Sequence, residues 1–461
     1  MVKPLDYLQN LKNYNFLICE NSEQFPQIAT ELYLELTQLS QKVNSPKIIL
    51  AEREPVKFLA SFLAACAVNC SIFLCNPDWG KQEWQQVLKL VQPDLILGIE
   101  HNYQSSIPHP QSPVPNAIMI PTGGSSGNIK FAMHTWDTLT ASVQGFTEYF
   151  QIKTVNSFCV LPLYHVSGLM QFIRSFTTNG KLVITPFKQL EQAANYNIHP
   201  SEYFISLVPT QLQRILDNPN LTQWLTQFNT VLLGGAAAWE ELLKKAKSQQ
   251  IRLALTYGMT ETASQIATLK PEDFFQNKIS SGKILPHAKV AIRNQSGEIL
   301  DVNQIGNLTI QASSLALGYY PQIWDNQNNF SVDDLGYLDE QGYLTIVGRN
   351  SNKIISGGEN IYPIEIEAAI RKTHQVVDVC VIGVPDQYWG QAVTALYIPN
   401  HPNISAIEIQ NQLKTELSRY KIPKYWISLP TLPRNHQGKI NYQELQKIAQ
   451  EFVSNCQQFL G

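Results

Sequence analysis

Ten residues concentrate more ligand-binding chemistry than any other stretch of the chain: Pro121-Thr122-Gly123-Gly124-Ser125-Ser126-Gly127-Asn128-Ile129-Lys130. Three glycines let the backbone turn its N–H groups toward an anion without interference from Cβ. Three hydroxyls add donors, and Lys130 adds a full positive charge. The chemistry this points to is phosphate binding. The spacing is not G-x-x-x-x-G-K-[ST], and no clear helical pattern follows, so this is not a Walker loop. A polar hairpin turn is the other reading, since Gly/Ser clusters are ordinary turn material.

Four further clusters carry related chemistry. In Thr256-Tyr257-Gly258-Met259-Thr260-Glu261-Thr262, a tyrosine can stack on a base or sugar and a threonine can reach a phosphate. A carboxylate there can hold Mg²⁺ beside phosphate oxygens. The alternative is a strand-to-helix cap with Thr260 as the capping residue. In Val332-Asp333-Asp334-Leu335-Gly336-Tyr337 the adjacent carboxylates can bind ribose hydroxyls or form an acidic turn. The small residues of Leu233-Gly234-Gly235-Ala236 admit a planar ligand close to the backbone, or tight helix packing. Finally, Ser356-Gly357-Gly358-Glu359-Asn360 and Pro433-Arg434-Asn435-His436-Gln437-Gly438-Lys439 flank the last quarter of the chain. Lys439, on a glycine-containing loop, can swing into a distant cleft, although most lysines stay solvated.

The elements that must hold these clusters follow from the apolar pattern. Short runs such as Ile48-Ile49-Leu50, Asp94-Leu95-Ile96-Leu97, Ala117-Ile118-Met119-Ile120, Phe158-Cys159-Val160-Leu161, Leu182-Val183-Ile184 and Val231-Leu232-Leu233 alternate with amphipathic stretches such as 239–247. That is an α/β signature with buried, mainly parallel strands. Over 282–346 the runs Lys289-Val290-Ala291-Ile292, Asn307-Leu308-Thr309-Ile310 and Tyr343-Leu344-Thr345-Ile346-Val347 come closer together and predict a small β unit. A chain of 461 residues is too long for one ordinary core. The polar segment at 350–353 is therefore expected to mark a domain boundary and to act as a hinge. It separates a large, multi-subdomain N-terminal domain (1–349) from a small mobile α+β C-terminal domain (354–461). The latter alternates strand and helix over 379–384, 391–398 and 405–419.

Bulk properties exclude several classes. The net charge of −3 leaves no basic footprint for nucleic acid. The seven cysteines are odd in number and contain no C-x-x-C pair. This argues for free thiols in a reducing compartment, against a zinc site or disulfide framework. The apolar stretch 58–75 is interrupted by Asn69 and ended by Asn76-Pro77, so it reads as a buried helix from Pro55 to about Val68 followed by a strand from Ser71 to Leu74. With no apolar signal core at the start, no integral membrane segment and a cytoplasmic location are expected.

In order and spacing, the clusters resemble the adenylate-forming superfamily of acyl-CoA synthetases, peptide-synthetase adenylation domains and firefly luciferase. The resemblance runs over nearly the whole chain. It implies ATP, Mg²⁺ and coenzyme A as cofactor and co-substrates, with an acyl adenylate as intermediate. It assigns Thr122, Gly123, Gly124, Ser125, Ser126, Gly127 and Lys130 to the ATP phosphates. Gly234, Gly235, Ala236, Thr256, Tyr257 and Gly258 go to the nucleotide, Thr260 and Glu261 to the reacting phosphate, and Glu261 to Mg²⁺. Asp334 and Arg349 match the ribose-binding pair, Lys439 the adenylation lysine, and Gly357-Gly358 the wall of a pantetheine tunnel.

The stretch Leu161-Pro162-Leu163-Tyr164-His165-Val166-Ser167-Gly168, with Arg174 and YGMTETASQ at 257–265, further resembles the o-succinylbenzoate–CoA ligase branch. That branch serves menaquinone and phylloquinone synthesis. It implies an aromatic dicarboxylic acid as partner, with His165 and Ser167 lining its pocket. Arg174, helped by Ser264 and Gln265, would bind the carboxylate that is not activated; a surface or ion-paired arginine is the other reading. Four positions depart from the superfamily pattern: Ile129 replaces a proline, Gly123 a serine, Val332-Asp333 a Thr-Gly pair, and Ser351 an acidic hinge residue. Ligation of another aryl or medium-chain acid, or a non-catalytic nucleotide-binding relative, are the competing functions.

Overall fold

The computed structural model describes residues 2–11, 15–68, 70–99, 114–123, 129–190, 198–325, 329–350, 352–356, 359–386, 389–434 and 438–458. Gly124, Ser125, Ser126, Gly127, Ser351, Gly357 and Gly358, singled out above, lie outside the described residues. Two compact units divide the chain. The first comprises Met1–Ala237, Ala246–Val290 and Ile310–Phe330; the second comprises Ala238–Lys245, Ala291–Thr309 and Ser331–Gly461.

The elements that carry candidate residues are, in chain order, β1 (Ile118–Gly123), β2 (Ile129–His134), α1 (Trp136–Phe150), α2 (Val166–Thr177), β3 (Thr230–Leu233), β4 (Leu253–Met259), β5 (Ser264–Leu269) and β6 (Gly318–Tyr319). Further along come β7 (Phe330–Leu338), β8 (Tyr343–Arg349), α3 (Pro363–Lys372), β9 (Val376–Asp386), β10 (Gly390–Pro399) and α4 (Tyr442–Gln458).

The first unit holds two parallel sheet regions. In one, Leu95–Leu97, Lys47–Leu50, Ser71–Leu74 and β1 run parallel, and β2 and β6 follow antiparallel. In the other, Leu17–Ile18, Leu182–Ile184, Asn156–Cys159, Tyr203–Leu207, β3 and β4 are parallel, and β5 follows antiparallel. The α/β architecture is therefore as expected. Its physical basis is burial on both faces: every residue of Lys47–Leu50, Ser71–Leu74 and β3 is buried, which an unbroken apolar run permits and an alternating one does not. Each parallel run closes with an antiparallel hairpin, β1–β2 or β4–β5. A short connection suffices there, where a parallel pair would need a long crossover. These two hairpins are where the sequence concentrates its glycines and hydroxyls.

The stretch 58–75 resolves as expected into the helix Pro55–Ala67, buried around most of its circumference, and the strand Ser71–Leu74. Among the described residues no helix is long and apolar enough to cross a membrane. The expected small β unit contains the strands Ala288–Arg293, Gly306–Ala312, β7 and β8. Several boundaries move, two of them with a local cause. The strand expected through Leu161 stops at Cys159, because the proline at 162 has no N–H for a ladder. The helix expected over 405–419 spans Ala406–Glu416, with the Ser405 side chain accepting from the Ile407 N–H as a cap.

In the second unit β9 and β10 form a long antiparallel pair. Alternation along β9 sorts its side chains between two cores. Val379 and Val381 pack with Ile366 and Ile370 of α3. Cys380, Ile382 and Val384 pack with Leu445, Ala449 and Val453 of α4. A period of two thus places one helix-lined core on each face of the sheet.

Candidate active site

One cluster in the first unit is built on α2 and β5. Ser167, Gln171 and Arg174 are spaced four and three residues apart, so they share one face of α2. Arg174 is 3% exposed. Its Nη2 donates to Ser264 Oγ at 3.1 Å and to Gln265 Oε1 at 3.5 Å, and its guanidinium carbon lies 4.4 Å from the Phe146 ring centroid. Its Nε has no partner among the described residues, and no carboxylate among them pairs with it. The surface or ion-paired alternative is thereby corrected: this arginine is buried among neutral groups. Burial pushes the guanidinium down to about 9, which still leaves a cation at neutral pH.

His287 lies against α1, where a Cβ added to Gly145 would sit 1.8 Å from its Nδ1. Both ring nitrogens lack partners among the described residues. Burial, and then the Arg174 charge, pushes its pKa down to about 4, so the ring is neutral at pH 7. Ser264 holds its hydroxyl toward Arg174 from a left-handed backbone, φ 89°, directly after Ala263 at φ 50°. A desolvated cation surrounded by neutral acceptors is a place where an arriving carboxylate gains strongly. His165 stands at the position before α2 with no side-chain capping bond, and Gln171 Nε2 donates to the Ser167 carbonyl at 2.9 Å.

A second cluster in the same unit lies on the hairpins. In β1–β2, Thr122 pairs with Lys130 and Gly123 with Ile129. Where a proline would lack the donor, Ile129 offers an N–H, 3.5 Å from Gln86 Oε1. The Tyr257 motif is not a strand-to-helix cap. β4 continues through Met259, a 3₁₀ turn follows at Thr260–Thr262, and β5 returns antiparallel. Thr262, not Thr260, supplies the side-chain acceptor, taking the Met259 N–H at 3.0 Å. The ladder shifts register between Tyr257 and Gly258, and a Cβ at Gly258 would lie 2.0 Å from the Ser264 carbonyl oxygen. Only glycine allows that approach. At the end of β3, a Cβ on Gly234 would lie 2.3 Å from Thr256 Oγ1, and Gly235 has φ 81°. Close packing against β4 favours glycine at 234, and the left-handed backbone favours it at 235.

Glu261 is buried on the 3₁₀ turn. Its Oε1 accepts from the Tyr319 hydroxyl at 2.5 Å, and its carbonyl accepts from the Ala316 N–H at 2.8 Å. Tyr319 stands on β6 opposite Ala132 of β2, and Lys130 Nζ sits 5.3 Å from its ring centroid. Burial, then the Glu261 carboxylate, pushes the phenol well above its usual pKa, so it remains a donor. His134, fully buried at the end of β2, spans from the Thr260 carbonyl (Nε2, 2.8 Å) to Thr138 Oγ1 (Nδ1, 3.0 Å). The carbonyl can only accept, which puts the proton on Nε2. Burial pushes this imidazole down to about 4. Among the described residues no group of three or more metal-ligating side chains occurs. The Glu261 oxygen opposite Tyr319 nevertheless accepts no hydrogen bond among them. One carboxylate suits a Mg²⁺ that arrives on nucleotide phosphates and needs few protein ligands.

In the second unit Asp334 lies within β7, not in a turn, directly opposite Arg349 of β8. Arg349 Nε donates to Asp334 Oδ1 at 3.3 Å. The preceding Asp333 carbonyl accepts from the Asn350 N–H at 2.7 Å. Lys439 is exposed beside Gly438, on a loop closed by the bridge between Arg434 and Ile440 and by Arg434 Nη1 donating to the Gly438 carbonyl at 2.7 Å.

Residues 99–320 match the AMP-binding enzyme model, and residues 365–439 match the AMP-binding enzyme C-terminal domain. A 2-succinylbenzoate–CoA ligase of Lactococcus lactis is 32% identical over 449 residues, covering 92% of this chain and 96% of that protein. The chain belongs to the AMP-binding enzyme family. A second ligase of that name, from Oceanobacillus iheyensis, is 34% identical over 331 residues, 70% of this chain and 68% of its own. Among solved structures, the same fold is found in the Bacillus subtilis o-succinylbenzoate CoA synthetase in complex with the acyl-adenylate intermediate OSB-AMP. The TM-score is 0.82 at 24% identity, over 97% of this chain and 98% of that one. ATP-bound MatB of Rhodopseudomonas palustris has the fold too, with TM-score 0.79 at 21% identity over 92% and 93% of the two chains. The first family match covers both first-unit clusters, and the second ends on Lys439.

Three residues of the AMP-binding enzyme's clusters had no signal in the sequence: Tyr319, His134 and His287. Tyr319 meets Glu261 across 58 positions, and its Gly-Tyr-Tyr-Pro context reads as turn material. His134 sits at an inward position of a strand pattern and His287 in a loop after a proline. Neither context distinguishes a ligand-facing ring from a packed one.

Proposed function

We propose that this protein is an AMP-forming acid–CoA ligase that converts o-succinylbenzoate to its CoA thioester through an acyl adenylate. The observation that carries the choice of acid is Arg174, a buried cation with no carboxylate partner among the described residues. A dianionic acid supplies that partner with the carboxylate it does not activate. A fatty or monocarboxylic aryl acid would instead leave the desolvated charge unpaired, a cost of several kcal/mol.

The reaction joins two anions. A succinyl carboxylate oxygen attacks the α-phosphorus of ATP, and the bond to pyrophosphate breaks. Coenzyme A sulfur then attacks the adenylate carbonyl; AMP leaves and the thiol proton goes to solvent. In this reading Lys130, Thr122 and the loop glycines and serines hold the outer phosphates. Tyr257 stacks on the nucleotide, and Asp334 with Arg349 grips the ribose. Lys439 neutralises charge gathering on the α-phosphate oxygens, the kind of stabilisation on which phosphoryl chemistry chiefly depends. Glu261 would hold the Mg²⁺ that accompanies ATP, which would supply further neutralisation of phosphate charge. His165 and Ser167 wall the acyl pocket; an already ionised acid needs no general base. The residues after the hinge at 350–353 change duty between the steps, with Lys439 serving adenylation and Gly357-Gly358 serving pantetheine.

The decisive assay follows CoA thioester and AMP formation from o-succinylbenzoate and from its analogue lacking the ring carboxylate. A preference for the dianion of about a hundredfold in kcat/KM is expected, the worth of one buried charge-assisted contact. Equal rates would overturn the choice of acid. Lys439→Ala should abolish pyrophosphate release yet spare thioester formation from supplied acyl adenylate. Equal loss of both half-reactions would end the division of labour.

A further inference from the structure

Glu261 is the residue through which the nucleotide's metal is expected to be held, and a lone carboxylate on a short 3₁₀ turn is free to rotate unless something fixes it. One neighbour does so. The Tyr319 hydroxyl donates to Oε1 at 2.5 Å, while the Ala316 N–H holds the Glu261 carbonyl at 2.8 Å. Tyr319 is itself fixed. It pairs with Ala132 on β2, and its ring meets Trp324 edge-on with centroids 5.3 Å apart. The other ring contact is cationic, with Lys130 Nζ 5.3 Å from the centroid. One tyrosine therefore touches two charged residues assigned to the ATP phosphates and their metal, the Glu261 carboxylate with its hydroxyl and the Lys130 ammonium with its ring.

We infer that Tyr319 is a positioning residue for the metal–triphosphate end of the site. Its hydroxyl occupies Oε1 and so presents the second oxygen of Glu261 to the metal. Its ring keeps Lys130 beside the hairpin tip until phosphate oxygens replace the ring as the partner of the ammonium. The first role follows from valence: a carboxylate rigidly bonded on one oxygen offers the other in a defined direction, and such supporting partners alter metal affinity by roughly ten- to a hundredfold. The second follows from strength. A cation over an aromatic face gains about 1 kcal/mol at an exposed site, enough to park a lysine and too little to compete with a triphosphate. This rests on Glu261 holding the metal, as proposed above.

The test is Mn²⁺ affinity, read by electron paramagnetic resonance in the presence of α,β-methylene-ATP, whose α–β bridge cannot be cleaved and which therefore cannot donate its adenylyl group. Tyr319→Phe keeps the ring and its packing and removes only the hydroxyl. It should weaken Mn²⁺ binding by roughly tenfold or more, while analogue affinity without metal stays unchanged. Glu261→Gln should weaken Mn²⁺ binding further. In that background Tyr319→Phe should have no additional effect, because the hydroxyl acts through the carboxylate. Unchanged Mn²⁺ affinity in Tyr319→Phe with a weakened Glu261→Gln overturns this inference alone. So does an equal loss from Tyr319→Phe in both backgrounds, the mark of a merely structural role. Unchanged affinity in Glu261→Gln overturns instead the assignment of Glu261. Tyr319→Leu, which also loses the ring, should additionally weaken the metal-free analogue; no change there refutes the ring's part.

Discussion

The two clusters of the first unit share the β4–β5 hairpin yet treat charge in opposite ways. At the turn, Glu261 is bonded to Tyr319, Lys130 rests on the same ring, and His134 is held between Thr260 and Thr138. A few residues further, Arg174 is buried among a hydroxyl, an amide and a phenyl face. The charges of the first region are partnered before any ligand arrives, with one Glu261 oxygen left open for the counter-ion that a nucleotide brings. The second lacks one charge of the sign an acid would bring. Substrate identity is thus written as a missing partner, while cofactor geometry is written as partners already made.

The largest effect should come from removing the unsatisfied cation. Arg174→Met keeps the volume and deletes the charge. It should lower kcat/KM for o-succinylbenzoate by about 10²-fold with KM for ATP unchanged. The fold should not suffer, because replacing a buried unpaired charge by a well-packed apolar group is neutral or stabilising by about 1–3 kcal/mol. Steady-state kinetics and thermal melts check both halves. A lower Tm with unchanged kinetics would make Arg174 a structural residue and erase the contrast between the regions.

The next effect probes the satisfied region. His134 has a folded pKa pushed from 6.5 to about 4 by burial. Its folded-state pKa lies below the unfolded one, so folding excludes a proton. The stability is complete above pH 6.5 and is lost as pH falls toward 4. At about 1.36 kcal/mol per pKa unit the loss approaches roughly 3 kcal/mol. His287, depressed to a similar value, loses stability over the same window. Denaturant melts from pH 7 to 4 should show a steep decline. His134→Gln, which keeps a neutral donor for the Thr260 carbonyl, should remove a large part of it. An unaltered slope would mean that His134 is not the buried neutral ring bridging the turn.

How legible all this was in the sequence depends on the range of the interaction. The parallel strands and the Pro55–Ala67 helix could be read because burial on both faces or all around leaves an unbroken apolar run. The motif residues could be named because glycine, hydroxyl and charge cluster locally. Their local geometry was less accessible. Asp334 looked like part of a turn because Asp-Asp precedes Leu-Gly, yet the strand ladder with Arg349 overrides that preference. The 3₁₀ turn at Thr260 looked like a helix cap because both begin with a hydroxyl residue after a strand. Tyr319, His134 and His287 were out of reach, since their partners lie across folded distance and nothing adjacent to them announces it.

The smallest stability effect is expected in the second unit, and it separates a ligand-binding charge pair from a structural one. Asp334 and Arg349 form a single Nε–Oδ1 contact of 3.3 Å, and the Arg349 side chain is 58% exposed. Solvent screening and side-chain entropy limit such a pair to about 0.5 kcal/mol, so Arg349→Gln should shift Tm by no more than a degree or two. If the pair exists to hold ribose, the same variant should raise KM for ATP several-fold and leave KM for the acid unchanged. The opposite pattern, a clear drop in Tm with unchanged KM for ATP, would make the pair a strand clasp. This charge pair would then support the fold, and Lys439 would be left to carry ligand recognition by charge in this unit.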